Sequence, residues 1–362
     1  MIHSLDLVKP DGRALTLYSR RPMAAVANVP SPFHEPLGSK AHLRWHPLRG
    51  EWITYAAHRQ DRTFHPPPEY DPLAATEDAT RPTELPDGAW DIAVFDNRFP
   101  ALGGQGLADV PSLHVTTAPS SGHCEVVVYT PDRGTSLGAL ALDHIELLLS
   151  VWGDRTRRLG ARNDVAYVFP FENRGVEVGA TLHHSHGQIY AYPVVPPVPA
   201  RMAEQARAHL ASHKHGLLET LISAERSDSI RMLYEGPHAV AFVPVCARYP
   251  YECWVAPVRP VAQFGDLTEA ERADLARALK TVLLKLDGLW SRPMPYLMAW
   301  YQAPSDGEPH PEAHLHAQLY PPYRTAERLK YLAGTELGAG FYAMDALPED
   351  KARELQAIAV TL

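Results

Sequence analysis

His184-Ser185-His186-Gly187-Gln188 decides how this chain is read. The stretch sets two imidazoles and an uncharged amide at alternating positions in a run that reads as a β-strand, and alternation turns all three toward one face. At pH 7 an imidazole is largely neutral and can act as a nucleophile toward phosphorus. A Gln amide can donate to a phosphoryl oxygen without the full positive charge that would quench the ring. The pattern points to nucleotidyl transfer through a phospho-histidine. The plainer alternatives are a metal site built from the two histidines, or histidines that fill a sheet face.

Working outward, 166–171 and 188–192 read as strands, after strand-like runs at 90–95, 114–117 and 125–129. A helical pattern over 140–158 carries Ile145, Leu148, Leu149 and Trp152. The second half repeats this plan. Runs at 239–243, 252–256 and 296–300 answer to those at 90–95, 125–129 and 166–171. A helix over 268–290 opens on the capping box Thr268-Glu269-Ala270-Glu271 and carries Leu275, Leu279, Leu283 and Leu286. His314-Leu315-His316-Ala317-Gln318 then reproduces H-x-H-x-Q, 130 residues after the first copy. Every α+β protein alternates strands and helices, but a motif recurring at the same point of the plan indicates duplication. The prediction is an α+β chain of two related halves, 1–195 and 196–362, each an antiparallel sheet with a packed helix. Residues 1–42 predict a leading hairpin and arm, 43–57 two aromatic-rich strand runs about a turn at Arg49-Gly50, 65–88 a loop, and 200–226 a connecting helix.

The 362 residues suffice for two domains or one large composite one, and 45% hydrophobic content suffices for a buried core. A formal charge of -8 argues against a general nucleic-acid or anionic-membrane binder, so any phosphate site must be built from local Arg, Lys and backbone groups. The three cysteines, Cys124, Cys246 and Cys253, form no C-x-x-C pair, so neither a disulfide framework nor a thiolate zinc site is indicated. With no apolar leader in the first 21 residues and no span of membrane length, a cytoplasmic location fits best.

Four further segments carry a resemblance: His58-Arg59-Gln60-Asp61-Arg62, Phe95-Asp96-Asn97-Arg98-Phe99-Pro100, Phe171-Glu172-Asn173 and Leu315-His316-Ala317-Gln318-Leu319-Tyr320-Pro321-Pro322. With the first H-x-H-x-Q they resemble the galactose-1-phosphate uridylyltransferase family of the histidine-triad superfamily, from about Arg44 to the C-terminus. The resemblance implies duplicated histidine-triad-like units and transfer of UMP between UDP-glucose and a hexose 1-phosphate. It also implies that His186 is the nucleophile, that the backbone at His184 orients its ring, and that Gln188 binds the phosphoryl oxygens. Arg59, Arg62, Asn97, Asn173 and Thr181 fall at positions that bind phosphates, ribose or uracil in the family. Lys330, Gly334 and Glu336 match a segment that reaches the hexose phosphate across the interface of a homodimer.

The chain departs from the family at several positions. Ser185 stands where many members have Pro, and Tyr342 where Gln is usual. His183 has no implied role. The positions of the family's zinc ligands are taken by Asp71, Ala74, Arg133 and His184. Those of a second, iron or zinc, site are taken by Tyr301, His316, Gln318 and either Met202 or Glu204. Both sites read as lost, so no cofactor is expected, although His314 and His316 with Glu312 remain a candidate two-His site. Two rival readings stand beside the first: a nucleoside-diphosphosugar phosphorylase of the ADP-glucose phosphorylase kind, and a lapsed enzyme that only binds nucleotide sugars.

Overall fold

The computed structural model describes residues 2–36, 38–61, 66, 67, 69–104, 106 and 114–362. The first half contains β1 (His3–Val8), β2 (Ala14–Ser19), β3 (His42–His46), β4 (Glu51–Tyr55), β5 (Ile92–Asp96), β6 (Thr117–Pro119), β7 (His123–Val128), α1 (Leu142–Gly160), β8 (Tyr167–Arg174) and β9 (His186–Tyr192). The second contains α2 (Pro197–His213), α3 (Leu217–Asp228), β10 (Met232–Glu235), β11 (Ala239–Phe242), β12 (Cys253–Pro257), α4 (Glu269–Gly288), β13 (Tyr296–Tyr301), β14 (His316–Tyr320), β15 (Tyr323–Thr325), β16 (Arg328–Leu329) and α5 (Pro348–Gln356).

Eleven strands form one sheet in the order β1-β2-β5-β7-β9-β8-β13-β14-β12-β11-β10. The halves meet where β8 pairs antiparallel with β13, from Arg174↔Tyr296 to Phe171↔Ala299. Outward from that seam, β9, β7, β5 and β2 answer to β14, β12, β11 and β10. The expected duplication is therefore present, with the refinement that the two antiparallel units share a continuous sheet. Joining them edge to edge removes two exposed strand edges, each a row of unpaired backbone groups.

The helices α1 and α4 cover one face. Their apolar stripes, Ile145, Leu148, Leu149 and Trp152 on α1 and Leu275, Leu279, Leu283 and Leu286 on α4, share one core with Val168, Ile189, Met298, Trp300 and Leu319 of the sheet. Trp152 lies 5.6 Å, ring to ring, from Trp300 and 5.5 Å from Phe264, so the core crosses the seam between the halves. A buried side chain of this size contributes about 1.5–3 kcal/mol or more from lost hydration. The capping box at the start of α4 forms as expected: Glu271 N donates to Thr268 Oγ1 at 3.2 Å, and Thr268 N to Glu271 Oε2 at 2.9 Å.

Two expectations need correction. The connecting segment is two helices, because Lys214 takes a left-handed φ of 66° and the Glu219 carboxylate accepts from Gly216 N at 3.1 Å to start α3. The strand expected over 114–117 begins only at Thr117, where it gains β3 as a partner through Arg44↔Thr117; 111–113 lie outside the described residues.

Candidate active site

Along β9 burial alternates, with Gly187, Ile189 and Ala191 inward and His186, Gln188, Tyr190 and Tyr192 on the face opposite α1. Strand periodicity thus delivers His186 and Gln188 to one face as the sequence predicts, whereas His184 lies in the bend before β9 and is buried, so the alternation does not extend to it. Gly187 is required by a close approach from the core side. A Cβ there would lie 2.1 Å from Tyr129 Oη and 2.9 Å from the Phe171 carbonyl oxygen. Tyr129 is fully buried, its hydroxyl 3.5 Å from the carboxylate of buried Glu172, whose pKa burial pushes up to about 8.

His186 Nδ1 donates to the His184 carbonyl oxygen at 2.7 Å. That bond assigns the proton to Nδ1 and leaves Nε2 with its lone pair. Among the described residues nothing hydrogen-bonds Nε2. Burial lowers the His186 pKa, against the opposing effect of the His184 carbonyl, so the ring is neutral at pH 7. Gln188 lies beside Phe171 of β8 in register, and its side-chain amide has no hydrogen-bond partner among the described residues, so that amide is available to a ligand.

The other expected site residues are distributed around this strand. Asn173 follows Phe171 by two positions on the same face of β8, and Thr181 lies on the chain that leads into β9. Arg59 Nη1 donates to the Phe99 carbonyl at 2.6 Å and approaches Tyr190 Oη at 3.4 Å, which ties the first segment to the face of β9. Asn97 Oδ1 accepts from Phe99 N at 2.9 Å and shapes the same turn. Arg62 lies outside the described residues. Lys330 follows β16 and is buried, its Nζ 3.7 Å from Glu336 and donating to the Ala343 carbonyl. None of the described ion pairs or hydrogen bonds of Lys330 and Glu336 reaches the His184–Gln188 stretch. Sequence reasoning missed Tyr129, Tyr190 and the role of Asp71, whose carboxylate meets the His184 ring at 2.6 Å.

The second H-x-H-x-Q copy folds like the first, but the second nitrogen of its inner histidine is occupied. His316 Nδ1 donates to the His314 carbonyl at 2.8 Å, yet its Nε2 accepts from Gln318 Nε2 at 3.0 Å. The ring is stacked on Tyr301, 5.3 Å between centroids, and every residue of β14 is buried. Burial lowers the His316 pKa to about 4.

The residues at the implied metal positions do not fit a metal. Ala74 has no donor atom, Arg133 is a cation, and both His184 nitrogens are engaged, Nδ1 with Asp71 and Nε2 with the Thr130 carbonyl at 2.8 Å. At the second site Gln318 occupies His316 Nε2, Met202 and Tyr301 replace stronger ligands, and Glu204 is exposed. The alternative around His314 also fails to assemble, since His314 Nε2 bonds the Pro257 carbonyl and Glu312 pairs with Arg207 and His310. Asp96, His123 and Glu125 do cluster. Their charges are balanced internally: His123 and the Ala14 amide hold Asp96, and Arg155 holds Glu125 through both carboxylate oxygens.

A neutral, oriented imidazole on the face of a duplicated antiparallel sheet opposite α1 defines a histidine-triad-like nucleotidyl-transfer protein. The family models for galactose-1-phosphate uridyl transferase match both halves, the N-terminal domain over residues 35–196 and the C-terminal domain over 202–361. The chain belongs to the galactose-1-phosphate uridylyltransferase family. It is 36% identical over 322 residues to the galactose-1-phosphate uridylyltransferase of Thermotoga maritima, covering 87% of this chain and 97% of the relative. Identity to that of Streptomyces lividans is also 36%, over 297 residues, covering 81% of this chain and 79% of the relative. A solved uridylyltransferase structure is similar with a TM-score of 0.78 at 30% identity, covering 87% of this chain and 97% of the other. An ADP-glucose phosphorylase from Arabidopsis thaliana with bound ADP-glucose shares the fold, with a TM-score of 0.66 at 23% identity, covering 88% of this chain and all of the other, 100%.

Proposed function

We propose that this chain transfers UMP between UDP-glucose and galactose 1-phosphate through a covalent uridylyl group on His186. The observation that carries the reading is the His186 ring, held at Nδ1 and open at Nε2. Nε2 attacks the α-phosphorus of UDP-glucose, a P–N bond forms, and the P–O bond to glucose 1-phosphate breaks with its electron pair leaving on that oxygen. A phosphate oxygen of galactose 1-phosphate then attacks the same phosphorus and releases the neutral imidazole. Neither step needs an external proton, because the leaving oxygen belongs to a stable phosphate anion. Storing the group covalently splits a displacement between two anionic sugar phosphates into two better-oriented ones. Gln188 donates to the phosphoryl oxygens as charge builds on them.

Arg59, Arg62, Asn97, Asn173 and Thr181 serve the nucleotide in this reading, and Lys330 and Glu336 serve the hexose phosphate of the other subunit in a homodimer. The two halves divide these tasks, 1–195 supplying nucleophile and nucleotide contacts and 196–362 the hexose segment. The enzyme works in the cytoplasm, on small substrates and without nucleic acid or membrane as a partner. The net charge of -8 supports that partner choice, and no helix among the described residues is long and apolar enough to cross a membrane.

Incubation with UDP-glucose alone, followed by peptide mass spectrometry, tests the mechanism. A UMP adduct on His186 is expected, and its transfer to galactose 1-phosphate regenerates the free enzyme. An adduct on His316, or none under turnover conditions, refutes the assignment. AMP acquired from ADP-glucose and passed to inorganic phosphate would favour the phosphorylase instead.

A further inference from the structure

Both nitrogens of the His184 ring face acceptors. Nδ1 lies 2.6 Å from Asp71 Oδ2 and Nε2 2.8 Å from the Thr130 carbonyl oxygen. An ionised carboxylate and a carbonyl only accept, so both contacts are hydrogen bonds only if both ring nitrogens carry protons. His184 is then an imidazolium paired with an aspartate. Both partners are fixed in turn, for Asp71 Oδ1 accepts from Leu73 N at 3.0 Å and Thr130 Oγ1 from Asp132 N at 3.2 Å.

The spacing leaves no room for an ion between ring and carboxylate. Zinc with one nitrogen and one oxygen ligand at tetrahedral angles would hold those atoms about 3.4 Å apart, well beyond 2.6 Å. Arg133, which approaches Glu77 at 3.5 Å, brings a further cation where the family resemblance implies a ligand.

The pair also acts on the nucleophile, because the carbonyl of His184 is the acceptor for His186 Nδ1 at 2.7 Å. Fixing the His184 ring at two points fixes the peptide that follows it, and with it the tautomer and tilt of His186. We propose that the Asp71–His184 ion pair replaces the zinc ion that the resemblance implies, anchoring the lead into β9 so that His186 is held in its attacking tautomer. Asp71 is on this view a positioning residue. It contacts neither substrate nor the reacting atoms.

The proposal rests on His186 being the nucleophile, so its test includes readouts that do not depend on turnover. Full-length protein labelled with ¹⁵N-histidine and treated with a chelator is compared with His184→Gln to assign the His184 signals. The expected spectrum shows protons on both His184 nitrogens at neutral pH, and Asp71→Asn loses that signature. Elemental analysis should find less than stoichiometric zinc. In kinetics Asp71→Asn should lower kcat by about 10–100-fold, the usual cost of removing a partner that orients a functional histidine, with KM for UDP-glucose little changed and Asp71→Glu recovering part of the loss. A neutral His184 in the wild type overturns the proposal, as does one tightly bound zinc per chain whose removal abolishes adduct formation. Unchanged kcat in a folded Asp71→Asn variant overturns the positioning role. If no nucleotide adduct forms on the wild type with any nucleotide sugar, the functional reading fails, while the spectrum still decides the state of His184.

Discussion

Replacing Gly187 by Ala adds one methyl group between His186, the proposed nucleophile, and Gln188, the proposed phosphate-binding amide. The new Cβ would sit 2.1 Å from Tyr129 Oη, 2.9 Å from Tyr129 Cζ and 2.9 Å from the Phe171 carbonyl oxygen. Tyr129 cannot retreat: its amide donates to the Ser185 carbonyl at 3.1 Å, its carbonyl accepts from His144 Nε2 at 2.6 Å, and its ring lies edge-on to Trp152 at 6.2 Å. The strand must therefore yield by about 1 Å, a displacement that at a reacting centre costs on the order of 10²-fold in rate. Overpacking a filled core adds about 1–3 kcal/mol of destabilisation. Unfolding entropy of about 2.1 cal/mol/K per residue makes that a fall in Tm of roughly 1–4 °C for a chain of 362 residues. The assay pairs a thermal melt with the single-turnover rate of His186 uridylylation. Adding Tyr129→Phe removes the atom at 2.1 Å and should return part of the rate. A Gly187→Ala protein with wild-type Tm and wild-type uridylylation would refute the packing argument.

Gln188→Ala should slow both half-reactions by about 10²-fold, as loss of an oxyanion donor does, and stopped-flow of each half separately checks this; slowing of only one would mean the amide serves one sugar phosphate rather than the transferred group. The proposed nucleophile is the neutral form of His186, and burial lowers its pKa, so kcat/KM should hold as pH falls through 6.5 and decline only below it. An acid limb centred above 6.5 would contradict the buried, neutral ring. Mixed His186→Asn and Glu336→Ala proteins, each inactive alone, should regain partial activity once subunits exchange, because a hybrid dimer contains one site with both residues intact; demonstrated exchange without recovery would confine Glu336 to its own chain.

The sequence was most informative where a local rule operates. The period of two in His186–Tyr192 put the imidazole and the amide on one face, and the structure keeps them there with Gly187, Ile189 and Ala191 behind. The capping box at Thr268 marked the start of α4, and the repeated H-x-H-x-Q revealed the duplication. Where the signal was weaker, the errors have a physical source. The break at Lys214 depends on a left-handed residue that only modestly penalises a non-glycine side chain, and the strand from Thr117 exists because β3 is beside it. The match of Lys330 to the family's hexose segment carries no sign that its ammonium is buried against Glu336.

By itself, then, the sequence determined the chemistry on offer: which side chains alternate and that the unit is duplicated. Tertiary structure decided which of the two motifs keeps an imidazole nitrogen without a hydrogen-bond partner among the described residues. His186 and His316 share a tautomer, but Gln318 occupies Nε2 of His316, whereas nothing among the described residues hydrogen-bonds Nε2 of His186. It also decided what stands in the first metal position, bringing Asp71 to His184 across 113 residues. Both outcomes depend on contacts between segments far apart in the chain, and such contacts are set by the packing of the whole sheet rather than by any local preference for conformation.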